Sequence, residues 1–104
     1  MRSLTVGVDL GQVADFTAIA VLEESEPRHY HVRHLERTRH VPYPDVVSRL
    51  KTLVAHLPAV PSIAVDATGV GRPVVDMVRE AKIPGDLYSI TLTGGDSVSG
   101  VGME

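Results

Sequence analysis

Leu4-Thr5-Val6-Gly7-Val8-Asp9-Leu10 is the stretch on which the fold turns. Apart from Gly7 and Asp9 it is β-branched or apolar, which predicts a buried strand with one acid near its carboxyl end. Outward from it, the turn Gly11-Gln-Val-Ala-Asp15 leads to a second apolar run at 16–23, FTAIAVLE, so the two are expected to pair as a hairpin. Pro27 ends that run, and residues 28–37 predict a third, more polar strand at the sheet edge. In the segment Pro44 to Leu57 the apolar positions are 46, 47, 50, 53, 54 and 57, one continuous helical stripe. Pro44 suits the first turn, Asp45 the positive end of the dipole, and Pro58 closes the helix. Ser62-Ile-Ala-Val-Asp66 predicts a short buried strand, again with an acid at its end. Pro73 then opens a second helix, with Val74, Val75, Val78 and Ala81 on one face, and Ile83-Pro84-Gly85 ends it before a fifth strand at 87–92.

The order β-β-β-α-β-α-β implies a meander followed by two right-handed crossovers. The expected architecture is an α/β domain over residues 1–92, a mixed five-stranded sheet in the order 3-2-1-4-5 with strands 1, 4 and 5 parallel. Residues 93–104 are Gly/Ser-rich without periodicity and predict a flexible tail. Such a sheet wants a further helix after strand 5 to cover its second face. None is encoded in 93–104, and a homodimer through the uncovered face is one expected consequence.

The composition narrows the class. A chain of 104 residues makes one small domain, burying about 65% of its unfolded surface. Aromatic residues are only 4%, Phe16, Tyr30, Tyr43 and Tyr88, so the core must come from Val, Leu, Ile and Ala. The absence of cysteine excludes disulfides and thiolate metal sites. The apolar start is too short to span a membrane and lacks a signal-peptide core, which makes the cytoplasm the default location. A net charge of −3 is not the global signature of a nucleic-acid binder. Residues 28–40, however, hold four Arg and four His against one Glu. A basic strip of this kind with Arg28, Arg33, Arg37 and Arg39 can track a phosphate backbone, or it can be the solvated edge of a sheet protected from aggregation.

The chemistry centres on Asp9 and Asp66. Both lie at the carboxyl ends of strands that should be neighbours, about 4.8 Å apart. Ligands of open α/β sheets usually sit at that edge. Two carboxylates this close repel, and a hard cation such as Mg²⁺ or Mn²⁺ offsets the repulsion. The bland reading is that each Asp caps a turn. For both together, in otherwise apolar runs, that reading weakens, because a buried carboxylate without a partner is costly. Asp15 is a third candidate ligand, although an Asp in a turn has local hydrogen bonding as its simpler reason. Thr68-Gly-Val-Gly-Arg72-Pro can be a backbone cradle for phosphate or simply a sharp strand-to-helix turn. It matches neither the P-loop nor the dinucleotide fingerprint. Asp76 suits the helix dipole. His29 and His31 share a strand face without an evident third ligand.

Val6-Gly-Val-Asp-Leu-Gly11, Asp15-Phe-Thr-Ala-Ile-Ala-Val21 and Val65-Asp-Ala-Thr-Gly-Val-Gly-Arg-Pro-Val-Val-Asp76 together resemble the nuclease domain of phage terminase large subunits. They also resemble related prophage proteins of the ribonuclease H-like superfamily. The resemblance spans residues 4–95. It implies two-metal phosphodiester cleavage of double-stranded DNA during genome packaging, with terminase ATPase and portal components as partners. Asp9 and Asp66 match the family's first- and fourth-strand carboxylates, and Asp15 resembles a further acid in its first hairpin. The family places its last essential Asp after strand 5. Here Asp96 and Glu104 are poor substitutes, and no ATPase motif is present. The resemblance therefore implies the first two-thirds of such a domain, as a fragment or a prophage remnant, and little or no cleavage by the chain alone. A non-catalytic interaction module is the main alternative. An actin-like ATPase or sugar-kinase fragment is a lesser one, since Asp15 in the hairpin turn would repel a nucleotide.

Overall fold

The computed structural model describes residues 3–12, 15–92 and 98–103, the last group by backbone alone. The strands and helices run β1 (Ser3–Asp9), β2 (Phe16–Glu26), β3 (His29–Arg39), α1 (Tyr43–Ala55), β4 (Ser62–Asp66), α2 (Arg72–Glu80), β5 (Asp86–Leu92) and β6 (Val98–Met103). They build one sheet in the order β3-β2-β1-β4-β5-β6. The expected order 3-2-1-4-5 holds, with β1, β4 and β5 parallel and β3 at an edge.

Two differences from the sequence reading have physical causes. Residues 98–103, expected within a flexible tail, pair antiparallel with β5 as β6. The free edge of β5 offers unmet N–H and C=O groups, and satisfying them outweighs the weak strand propensity of a Gly/Ser-rich segment. Asp96 and Glu104 lie outside the described residues. The hairpin β2–β3 also runs further than the apolar pattern suggests. Its polar end pairs Glu23 with His31, Glu24 with Tyr30 and Glu26 with His29, and cross-strand polar contacts support such pairs.

Alternation decides which face of the sheet is covered. Val6, Val8, Ile19, Val21, Ile63, Val65 and Leu87 point to one side and form a single core with Val46, Val47, Leu50, Leu53 and Val54 of α1 and Val78 of α2. Both crossovers move the same way along the sheet, so right-handedness puts both helices on this face. The opposite face carries Thr5, Gly7 and Asp9 of β1, Ala18 and Ala20 of β2, and Ala64 and Asp66 of β4. No described helix covers it. Phe16, Tyr30, Val32, Leu35, Tyr88 and Leu92 are exposed there, with Val32 65% and Leu35 63% accessible. No described helix is long and apolar enough to cross a membrane.

Candidate functional site

Asp9 and Asp66 are register partners on the parallel pair β1–β4. Registered residues of neighbouring strands send their side chains to the same face, about 4.8 Å apart between strands. That face is the one without helices. Both acids line a shallow trough of about 310 Å³ floored by Gly7, Ala18, Ala20 and Ala64. The small floor residues let a ligand approach the backbone closely. The expected convergence at the carboxyl edge of the sheet is thus present.

Neighbouring turns hold the two strand ends. Leu10 N–H donates to the Asp66 carbonyl at 3.2 Å, continuing the β1–β4 ladder by one step. Gly11 N–H donates to Thr17 Oγ1 at 3.1 Å, and the Tyr43 hydroxyl donates to the Gly11 carbonyl at 2.8 Å, tying the first loop to α1. A Cβ on Gly11 would stand 2.4 Å from the Phe16 carbonyl oxygen, so this turn closes tightly enough to exclude any side chain. Gly69 has φ +79°, and the Gln12 side chain packs where its Cβ would be, which joins the β1–β2 loop to the β4–α2 loop.

Asp66 does have a turn-capping role. Its Oδ1 accepts hydrogen bonds from Thr68 N at 3.0 Å and Thr68 Oγ1 at 2.6 Å, while Thr68 Oγ1 accepts from Leu92 N at 2.9 Å. Thr68 therefore links the acid to β5, a role the sequence reading missed. The signal was the short Asp66-Ala-Thr68 spacing, which favours local side-chain-to-backbone bonding. Among the described residues no hydrogen bond occupies Asp66 Oδ2, and Asp9 is exposed.

Asp15 is also exposed, its N–H donating to the Gln12 carbonyl at 2.8 Å as in an ordinary turn. Among the described residues no third His, Asp or Glu joins the pair in a group able to hold a metal ion. The donor set is thus two carboxylates at one open edge. It fits a hard cation that keeps several of its waters.

The five candidate phosphate-binding arginines separate. Arg37 and Arg39 face the carboxylate side, since Arg37 is paired with Ala18 and Arg39 with Phe16. Both guanidinium carbons lie over the Phe16 ring, 4.2 and 5.4 Å from its centroid. Arg33 instead reaches the helix-covered side, where its Nε donates to the buried Glu23 at 2.6 Å. Arg28 occupies the β2–β3 turn at the far end of the sheet, with φ 68°, its N–H bound by Glu24 Oε2 at 2.9 Å. That bond holds the Glu24 carboxyl below its usual range. Arg72 opens α2 and lines a separate cavity with Asp76, Arg79, Ser89 and Thr91. His29 pairs with Glu26 and His31 with Ser25, neither near the acids.

No protein-family model matches the chain, and no curated protein does. Among solved structures it is similar to RuvC of Thermus thermophilus in complex with a Holliday junction substrate. The TM-score is 0.60 and the identity 14%, over 86% of this chain and 63% of that one. A second Thermus thermophilus RuvC structure matches with TM-score 0.58 and 14% identity, over 85% and 61%. The chain therefore spans under two-thirds of the length of either neighbour. At this identity the likeness speaks to architecture, and the strand order and crossovers agree with it. The chain has the ribonuclease H-like fold.

Proposed function

We propose that this chain is the core of a metal-dependent DNA nuclease, with Asp9 and Asp66 as the carboxylates that hold Mg²⁺ or Mn²⁺. The register pairing of the two acids on the open face carries this reading. A cation bound there would lower the pKa of a coordinated water and stabilise charge on a phosphate oxygen. Asp9 offers an exposed carboxylate, and Asp66 is held by Thr68 so that one oxygen is fixed and the other remains for a ligand. The DNA in the similar RuvC structure supports DNA as the polymer. Within the nucleases, the motifs around Asp9, Asp15 and Asp66 favour a terminase-like packaging enzyme acting on double-stranded DNA beside an ATPase and a portal.

Plasmid nicking in Mn²⁺ tests the reading. Wild type is expected to nick slowly, and Asp9→Asn and Asp66→Asn each to abolish nicking, as chelation does. Nicking that survives both substitutions would contradict it. A wild type that binds no divalent ion and never nicks would favour the second reading, a non-catalytic interaction module. The capping bonds of Asp66 and the bare apolar face are the observations behind that alternative.

A further inference from the structure

The transverse row Arg37, Ala18, Asp9, Asp66, Ile90 crosses the open face from β3 to β5, each residue registered with the next. Arg37 thus stands two strand spacings from Asp9, about 9.6 Å. Ala18 is the only side chain between them in that row, and it is too small to block a polymer lying on the sheet. Arg39 follows Arg37 on the same face, about 6.8 Å further along β3. The Phe16 ring lies under both guanidinium groups. The three other candidate arginines are turned away, into the Glu23 pair, the distal turn or the helix side. What the basic strip presents to the acids is therefore a two-arginine clamp on an aromatic base.

We infer that Arg37 and Arg39, positioned by Phe16, hold the phosphate backbone of duplex DNA a few nucleotides from the phosphate that sits at Asp9 and Asp66. The inference deepens the proposed nuclease reading and rests on it for the direction of the DNA path. Three features favour a nucleic acid here. Guanidinium groups match phosphate oxygens in a planar, bidentate fashion. The trough continues in line with them towards the acids. The acids themselves repel phosphate unless a cation is present, so on a protein of net charge −3 the backbone needs a separate anchor. Phe16 acts as a positioning residue: its ring under both guanidinium groups narrows the rotamers of two long side chains.

The test is fluorescence anisotropy of a labelled 20-base-pair duplex, titrated with the protein in EDTA over a series of salt concentrations. Omitting metal separates this inference from the nuclease reading. An inert carboxylate pair leaves the binding intact, and Asp9→Asn/Asp66→Asn should bind at least as tightly as wild type. The Arg37→Gln/Arg39→Gln protein is expected to bind on the order of tenfold more weakly, with a log–log salt slope shallower by about 2. Phe16→Leu should weaken binding about two- to fivefold with the slope nearly unchanged, because the charges remain. Arg28→Gln/Arg72→Gln should match wild type. Circular dichroism and the urea midpoint verify that each variant is folded; should the double Gln protein unfold, Arg37→Lys/Arg39→Lys, with slope kept and affinity reduced, replaces it. An unchanged slope in the folded Gln variant, a larger loss in Arg28→Gln/Arg72→Gln, or no duplex binding by wild type would overturn the inference.

Discussion

Thr68 bonds Asp66 through both its N–H and its hydroxyl, and takes a bond from Leu92 N–H in return. Thr68→Val removes the hydroxyl and its two exposed hydrogen bonds, which should cost about 0.5–1.5 kcal/mol in urea unfolding. Thr68→Ser should stay close to wild type. At the other strand end, Gly11→Ala forces a Cβ against the Phe16 carbonyl and should destabilise by about 1–3 kcal/mol. Residue by residue, the sequence revealed the two acids because carboxylates interrupt runs that are otherwise apolar. It did not reveal the Phe16 clamp. Which of the arginines shares a face with Asp9 depends on the bulges in the β2–β3 register, between Val21 and Leu22 and between Glu24 and Glu26. A one-residue slip exchanges the two faces of a strand, so composition alone left all the arginines equivalent.

Glu36 of β3 and Arg49 of α1 tie the edge strand to the first helix. Arg49 Nε donates to both carboxylate oxygens at 3.1 and 3.0 Å and its Nη2 donates to Oε1 at 2.7 Å, with His34 Nε2 2.6 Å from the same oxygen. Chiefly through the Arg49 hydrogen bonds, the Glu36 carboxyl is held down at about 2. A lowered folded-state value means the stabilisation is complete above the usual carboxylate range near 4.5 and is lost as pH falls towards 2. The Arg49 side chain is 47% exposed and that of Glu36 20%, so solvent screening leaves about 1 kcal/mol. Glu36→Gln should lose that amount at pH 7 and flatten the acid limb of a stability profile between pH 4.5 and 2. Helix positions were legible from periodicity and proline placement, since α1 and α2 each carry Pro in the first turn. The strand at 98–103 was not, because its partner supplies the reason for its pairing.

At the scale of the whole sheet, the two described helices lie on one face and no described helix covers the other, with Val32 and Leu35 on the β3 side and Tyr88 and Leu92 on the β5 side. An apolar surface of this kind favours association. Sedimentation velocity should show self-association that grows with concentration and that duplex DNA displaces, because both would occupy this face, and Leu35→Lys/Tyr88→Lys should abolish it without lowering the unfolding midpoint, because both sites are exposed. A wild type that stays monomeric at high concentration would remove the homodimer. That asymmetry also exposes the acids, since the bare face is the one on which Asp9 and Asp66 stand. Calorimetric titration of Mn²⁺ into wild type, Asp9→Ala and Asp66→Ala tests their pairing most directly. Saturable binding by wild type, lost in both variants, is the expected result. Equal weak binding in all three proteins would contradict a metal centre at this edge of the sheet.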